Sequence, residues 1–368
     1  MVVDTTRLTR RPPRPVIPIV APSTTPVSVA LTAALDFGTA TSTVPRLPRS
    51  LRRTSHLDAL VGAGPGDGTE LSGAARDIHT DAHGAAHLVA SASLRAHLHP
   101  DRSLQSLVTD PGIDVDGLLG RAVGRGFRAT LDTAVPVERT ARSPLFLLLD
   151  ELPVILVISG YVDLFTERGT ANPAVEHQRD ICSGFRHEGV MMQSFDTTGA
   201  LPISIGPAAG DLGADDDLAW HDIDDQVPGS MRRRRLVEIR HDAAGHRSFY
   251  GYFRDTYRAS WDEREIVMHE YQIHGTVDVG LGHGALVVRT CVAEPLTLPW
   301  PECPHAAASA GWIVGKRVDQ IRDTVRFEYR GTDICTHLND LVRSLGDLDA
   351  LDATLHERST ADTDGRSR

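Results

Sequence analysis

An internal repeat constrains the fold of this chain more than any other feature of its sequence. The segment 73–77, Gly-Ala-Ala-Arg-Asp, recurs at 251–255 as Gly-Tyr-Phe-Arg-Asp. Three further matches follow in the same order: Asp110-Pro111 with Glu294-Pro295, Gly120-Arg121 and 127–131 with Gly315-Lys316 and 321–325, and Leu148–Asp150 with Leu338–Asp340. The offset between the matched partners drifts only from 178 to about 195 residues. Such units are too long for a solenoid, so the pattern predicts a tandem duplication with two homologous halves packed together.

The hydrophobic periods of the second unit indicate strands followed by helices. In 265–279 apolar and polar residues alternate, which is the period of a half-buried strand. Segments 247–257 and 284–293 are rich in aromatic and β-branched residues and are also predicted to be strands. We therefore predict an α+β fold in which each half is an antiparallel sheet followed by two helices. The helical period rests on two apolar faces, Val314, Val318, Ile321 and Val325, then Leu338, Leu341, Leu345 and Leu348.

Composition divides the chain into five segments. Residues 1–53 carry eight Arg against two acidic residues and are rich in Pro, Ser and Thr, so we expect this segment to be disordered. Residues 54–167 and 231–350 are the two α+β repeats. Between them, 168–230 is expected to be an irregular acidic linker, and 351–368 is expected to be a disordered tail.

The most apolar run of the chain is 144–165, but Asp150, Glu151 and Pro153 interrupt it. A charged residue at the centre of a bilayer costs roughly 2.5–3.5 kcal/mol, and proline breaks a helix. We therefore expect a buried helix followed by a buried strand at 154–159, and no membrane partner.

The charge and the motifs of the chain exclude several classes of function. The net charge of −11 argues against nucleic-acid binding, which needs a basic face. The sequence has no Gly-rich phosphate loop, no serine nucleophile elbow and no dinucleotide-binding fingerprint, which argues against chemistry with NTP or NAD. Four cysteines are too few for a disulfide scaffold, so we expect a cytoplasmic protein.

The acidic run Asp211–Asp225 directly precedes a basic run, Arg232–Arg235. We expect a solvated loop that the basic run neutralises. A metal site made of these carboxylates is the alternative, but the spacing lacks the Gly and the terminal Glu of a calcium-binding loop.

Two cysteines and two histidines of the C-terminal repeat are the candidate catalytic residues. Cys303 precedes Pro304, a favoured first residue of a helix, and Cys335 precedes the next predicted helix. The positive end of a helix dipole lowers the pKa of a thiol and so favours the thiolate. His337 lies two residues beyond Cys335, and His269 lies on the apolar face of its strand. We expect Cys303, Cys335 and His337 to share one site, provided that the second helix returns along the first.

The repeat supplies an internal control for these four residues. Ala90 corresponds to His269, Leu145 corresponds to Cys335, and Leu147 corresponds to His337. A fold that accepts aliphatic residues at these positions in one half does not need Cys and His there for stability. The asymmetry favours a function for the polar set, although a buried cysteine often only packs.

Three functions fit this set, and the sequence names no cofactor. A thiol–imidazole pair, Cys335 or Cys303 with His337 or His269, could act on a small organic ligand, for example an acyl compound. Alternatively, Cys303, Cys335 and His337, with or without His269, could bind zinc or an iron–sulfur centre in an accessory protein. The third alternative is a non-catalytic structural or binding protein.

Residues 299–341 resemble a known bacterial family. Pro299-Trp-Pro-Glu-Cys-Pro-His-Ala, then a helix containing Gly315, then Asp333-Ile-Cys-Thr-His-Leu-Asn-Asp-Leu are similar to the domain-of-unknown-function family DUF 2889. The resemblance extends back to about Arg233 and covers roughly the C-terminal third of the chain. The family name implies no activity, so the function has to be argued from the residues.

Overall fold

A nine-stranded antiparallel sheet forms the centre of the computed structural model, which describes residues 31–62, 67–165, 173–260, 263–280 and 284–364. Its strand order is β2-β11-β10-β9-β8-β3-β4-β5-β6, while β1 and β7 form a separate parallel pair. The strands are β1 (Leu31–Ala33), β2 (Leu35–Asp36), β3 (Ser50–Val61), β4 (Thr69–Thr80), β5 (Ala86–Leu98), β6 (Leu104–Asp110), β7 (Ile203–Ile205), β8 (Ser230–His241), β9 (Arg247–Arg258), β10 (Glu265–Val279) and β11 (Leu286–Leu298).

Each half of the chain contributes one four-stranded meander followed by helices. The meander β3–β6 and the meander β8–β11 join through antiparallel pairing of β3 with β8, in which Leu57 lies opposite Arg233. The predicted combination of a large antiparallel sheet with helices is confirmed, and the predicted strand 265–279 coincides with β10. The two halves share an order of elements, whereas their origin by duplication stays a proposal.

The helices cover one face of the sheet. Helix α3 packs across β3, β4 and β5, and the last helix packs across β8 and β3. The helices are α1 (Phe127–Ala134), α2 (Pro136–Ala141), α3 (Pro144–Ile158), α4 (Gly160–Phe165), α5 (Val190–Thr198), α6 (Ile321–Glu328), α7 (Thr336–Ser344) and α8 (Leu348–Asp364), with a 3-10 helix at Cys303–Ile313.

The basic run of β8 is buried at the centre of the sheet. Strand alternation sends Arg233 and Arg235 to the helix face, where their carboxylate partners are Asp255 and Glu151. Arg232 and Arg234 lie on the other face, with partners at Asp58 and Glu265. The expectation that these arginines neutralise the acidic run 211–225 was therefore wrong, and within that run Asp216 pairs with Arg46 instead. A buried guanidinium needs a carboxylate at contact distance, and the sheet itself supplies those carboxylates.

The apolar run 144–165 is helical throughout the described part, so the strand expected at 154–159 was wrong. Helix α3 continues past Pro153 to Ile158, and α4 follows at once. Because α3 is buried on nearly all sides, its sequence has no amphipathic period, and a short apolar run of this kind does not distinguish helix from strand. The segment Pro144–Val162 is long and apolar enough to span a bilayer by length and composition, but 78 % of its most apolar window is buried inside the protein.

Three segments expected to be irregular contain regular structure. Residues 1–30 lie outside the described residues, but 31–53 contain β1, β2 and the start of β3. The tail expected to be disordered is helical as far as Asp364, because Leu351 and Leu355 pack into the core. The linker 173–230 is mostly irregular, but α5 buries Met191 and Met192 against the C-terminal half.

Candidate functional site

A cavity of about 230 Å³ lies where the two halves and the linker meet. The end of α3 and α4 form one wall, the linker forms a second, and the C-terminal half forms the third. All four candidate residues, Cys303, Cys335, His337 and His269, line this one cavity. The other lining residues are Arg102, Val157, Ile158, Gly160, Tyr161, Val175, Gln178, Cys182, Ser183, Gly184, Phe185, Met191, Leu201, Pro202, Pro299, Trp300 and Thr336.

The intervening helix α6 explains how both cysteine-bearing helix starts reach the cavity. Antiparallel packing of two consecutive helices would place their N-termini at opposite ends. However, the 3-10 helix that begins at Cys303 and the helix α7 that follows Cys335 are separated by α6. With one helix between them, the 3-10 helix and α7 can run in the same direction, so that both N-termini lie at one site.

His337 is held by a carboxylate–arginine pair of the sheet. Its Nδ1 lies 2.8 Å from Oδ2 of Asp255 on β9. Arg233 on β8 binds the same carboxylate through both oxygens, each at 2.6 Å. Nη2 of Arg233 also lies 3.2 Å from this Nδ1. Because a carboxylate only accepts hydrogen bonds and Asp255 is the closer neighbour, we assign a proton to Nδ1. In the neutral ring of this tautomer Nε2 carries the lone pair.

Asp255 stays ionised inside the protein. Burial alone would raise the pKa of its carboxyl group, but the charge and hydrogen bonds of Arg233 and His337 hold that pKa below its ordinary value. Asp255 is fully buried and its Arg233 partner is equally inaccessible. The pair is therefore a fixed anchor that orients the imidazole ring of His337.

His269 stacks on His337 and lacks a hydrogen bond at one nitrogen. It lies opposite Asp255 in the β9–β10 ladder, and its ring is 3.7 Å from that of His337, with an interplanar angle of 19°. Its Nδ1 is buried without a partner among the described residues, 3.9 Å from Oδ2 of Asp255. Burial, and then the neighbouring His337, lowers the pKa of His269 well below its ordinary value. This histidine is therefore neutral at physiological pH.

The expectation of activated thiolates was wrong. Cys335 is the N-cap residue of α7, as predicted, but burial raises the pKa of its thiol to about 12. The N–H groups of His337 and Leu338 offset only part of that effect. Burial likewise raises the pKa of Cys303 and of Cys182, a third thiol on the cavity wall. In these closed, apolar surroundings the desolvation of the thiolate outweighs the helix dipole.

Asp255, His269 and His337 also form the one group of metal-type donors in the described part of the chain, with one atom of each within 4.8 Å of the others. Two histidines and a carboxylate can bind Fe(II) or zinc. Here the two rings are almost parallel, so their in-plane lone pairs run side by side rather than converging on one ion. Arg233 also places a positive charge on the carboxylate. No thiol belongs to this group, so it shares with the metal set expected from the sequence only His337 and the optional ligand His269.

Four residues of the site were missed by the sequence analysis: Asp255, Tyr161, Trp300 and Arg102. Asp255 carried a signal, because it is part of the repeated Arg-Asp pair that aligns with Asp77. The other three reach the cavity from β-turns, helix ends and loops that no local period identifies.

Comparison with known proteins identifies the C-terminal third of the chain. Residues 231–350 match the model of the family described as protein of unknown function (DUF2889), which confirms the resemblance. All four candidate residues lie within this range, whereas Arg102 and the wall formed by α3 and α4 lie outside it. Neither the curated proteins nor the solved structures include a match to the chain.

Proposed function

We propose that the protein binds a small organic molecule in this cavity and that His337 acts on it as a general base. The observation that carries the proposal is the hydrogen-bonded series Arg233–Asp255–His337, which ends at an imidazole on the cavity wall. A carboxylate that fixes Nδ1–H leaves Nε2 as the base, and Asp255 acts as the positioning residue. The raised thiol pKa moves this role from the cysteines to His337.

The walls of the cavity support a mainly apolar ligand. Trp300, Tyr161, Phe185 and Met191 contribute large apolar surfaces, and a few polar side chains, His337 among them, complete the lining. Ligand sites commonly combine such walls with a few polar groups that fix orientation. An acyl compound is the class we favour, because base-assisted attack on a carbonyl group needs no nucleotide cofactor. Four free cysteines also agree with our proposal of a reducing, cytoplasmic setting.

The comparison of the two halves supports a functional role for the histidines. The N-terminal half keeps an equivalent ion pair, Arg53–Asp77, in which both nitrogen–oxygen contacts are 2.7 Å. There Ala90 lies opposite Asp77, as His269 lies opposite Asp255. We propose that the halves arose by duplication and that only one kept or acquired the imidazoles. The ion pair alone is then the structural element, and the histidines are the addition.

A metal-binding accessory protein is the second candidate, because Asp255, His269 and His337 are suitable ligand types. The parallel rings and Arg233 disfavour it, as described above. Elemental analysis of protein purified without chelators tests it directly. Stoichiometric iron or zinc that is lost in His269→Ala would replace the general-base proposal with this one.

The proposal is tested by installing the residue that the other half uses. His337→Leu is expected to keep the melting temperature within a few degrees, because Leu147 is fully packed in the N-terminal half. It should abolish binding of the fragments that wild-type protein selects by ligand-observed NMR. Hydrolysis of p-nitrophenyl butyrate should fall about 10²–10⁴-fold, as expected when a general base is removed. His246→Ala, on an exposed histidine, is the matched control.

Two outcomes would reject this function. Either wild-type protein binds no fragment and hydrolyses no ester, or His337→Leu retains both properties. If wild-type protein binds fragments but hydrolyses no ester, the protein is instead a binding protein without catalytic activity.

A further inference from the structure

We infer that the ligand of this cavity is an organic anion and that Arg102 binds its charged group. The inference rests on the proposed function and adds the chemical class of the ligand. Arg102 lines the cavity, yet it belongs to the N-terminal half, in the turn that joins β5 to β6. The site would then need both halves, with the base on one and the anion-binding residue on the other.

Arg102 is held in place by its backbone and is free at its side chain. Its N–H donates to the carbonyl of His99 at 2.8 Å, and its own carbonyl accepts from Val123 at 2.9 Å. Its φ is 65°, in the left-handed region that favours glycine or asparagine. The guanidinium is exposed and forms no hydrogen bond or ion pair with another described residue, so its charge is available to a ligand in the cavity that it lines.

The charges around the cavity favour an anion. Among the described lining residues Arg102 is the single permanently charged one, and no carboxylate lines the cavity. Asp255 lies behind the histidines and is already neutralised by Arg233. His269 has a lowered pKa and carries no negative charge that could balance a bound cation. Desolvated binding of a cation here would have no counter-charge.

Unpaired hydrogen-bond donors point the same way. The indole Nε1–H of Trp300, a residue only 2 % exposed, forms no hydrogen bond of normal geometry, although it lies beside the hydroxyl of Tyr161. A buried donor without a partner is unfavourable unless a ligand supplies an acceptor. Trp300, Tyr161 and Arg102 all line the cavity, and each carries a hydrogen-bond donor that an anionic oxygen accepts.

The test compares acids with neutral molecules of the same shape. The probes are phenylacetate, cinnamate and octanoate, each paired with its primary amide, and the dissociation constants are measured by ligand-observed NMR or calorimetry. Wild-type protein should bind at least one acid about tenfold or more tightly than its amide, as expected for a charge-assisted contact. Arg102→Asn should remove that preference and leave amide binding unchanged, because asparagine accepts the left-handed conformation. Arg102→Lys should retain part of the preference.

The chain offers a matched control for the backbone effect. Arg49 is a second exposed arginine with positive φ, 59°, and it does not line the cavity. Arg49→Asn should leave the acid preference intact. If the acids bind no better than the amides, or if the preference survives Arg102→Asn, this inference is wrong while the proposed function stands. If none of the six probes binds and His337→Leu changes nothing, both fail together.

Discussion

The two halves of this protein place the same ion pair in two different settings. In the N-terminal half Arg53 and Asp77 face α3, and Arg53 also binds Asp347 of the other half at 3.1 Å. In the C-terminal half Arg233 and Asp255 face the start of α7, where Asp255 binds His337. The first pair is enclosed by protein on every side, whereas the second pair supports a residue on a cavity wall. One structural element therefore serves packing in one half and positions His337 in the other.

The neighbours of each pair account for this difference. Leu147 and Ala90 take these positions in the N-terminal half, where Leu147 is 2 % exposed and Ala90 is half-buried. In the C-terminal half His337 and His269 take the equivalent positions and line the cavity. Aliphatic side chains close a core, because they need no partners. Imidazoles at the same positions have ring nitrogens that need hydrogen-bond partners, and in the C-terminal half they face the open cavity.

The halves also exchange ion pairs across their junction. Arg322 of the C-terminal half binds Asp150 of α3 at 2.6 Å, and Arg128 of the N-terminal half binds Asp340 of α7 at 2.6 Å. These residues are partners in the sequence repeat, 128 with 322 and 150 with 340. The crossed pairs are not equal, because Asp150 also binds Arg343 through both of its oxygens. The N-terminal acid is thus the more heavily used of the two.

The largest expected effect follows from that inequality. Asp150→Asn leaves Arg322 and Arg343 buried without their carboxylate, and such a loss typically costs about 3–5 kcal/mol. Asp340→Asn removes one close partner, Arg128, and should cost less. Urea unfolding of both variants measures the two free energies. Equal losses would show that the junction is symmetric and would contradict the unequal use of the two acids.

The acid sensitivity of stability distinguishes the halves less strongly. His56 of β3 contacts His221, and burial, then Arg232 and Arg234, lowers the pKa of His56 to about 3. Burial, and then the neighbouring His337, also lowers the pKa of His269 in the C-terminal half. A histidine that stays neutral in the folded protein costs no stability above its unfolded pKa, near 6.5. Below that pH the unfolded state binds a proton that the folded state does not. The free energy of unfolding therefore falls by about 1.4 kcal/mol for each pH unit.

Measurement of unfolding free energy between pH 6.5 and 4.5 tests this effect. We expect stability to fall with pH in the wild type and to fall less steeply in His56→Gln and in His269→Ala. Each replacement should flatten the slope by about one histidine. The acids with lowered pKa, such as Asp255, titrate below this pH range and therefore do not contribute to the slope measured within it. An unchanged slope in His269→Ala would mean that this histidine is protonated in the folded protein, which would undermine its assigned environment.

The sequence predicted the strands of the second half well where one physical signal dominates. Alternation over 265–279 defined β10, although burial alternates only over 272–278, because 266–271 are buried on both faces of the sheet. Glu270 lies on the face opposite to His269 and binds Arg254 there. The repeat correctly indicated that the first half carries Ala90 where the second carries His269.

The sequence failed where long-range surroundings decide. The strand expected at 154–159 is helix, because a run buried on all sides carries no period. The thiol of Cys335 was expected to be acidic from its helix position alone, and burial reverses the sign. Asp255 was known only as part of a repeated motif. Its role depends on a helix start that lies about eighty residues further along the chain, and no local pattern records that contact.

The smallest expected effect concerns the two helix caps. Ser143 caps α3 by accepting a hydrogen bond from the N–H of Phe146, whereas Cys335 at the start of α7 forms no side-chain capping hydrogen bond. Cys335→Ser gives the second helix the cap residue of the first and should change the unfolding free energy by at most about 1 kcal/mol. Because His337 and not the thiol is the proposed base, ligand binding should be unaffected.

The reciprocal change, Ser143→Cys, removes a working cap and should cost about 1 kcal/mol in the same urea assay. Alkylation supplies an independent readout, since a thiol whose pKa is raised to about 12 is almost wholly protonated at pH 8. Iodoacetamide should therefore label Cys335 in the unfolded protein but hardly at all in the folded protein. Rapid labelling of folded protein, together with loss of ligand binding in Cys335→Ser, would return the thiol to the centre of the site and displace His337 from it.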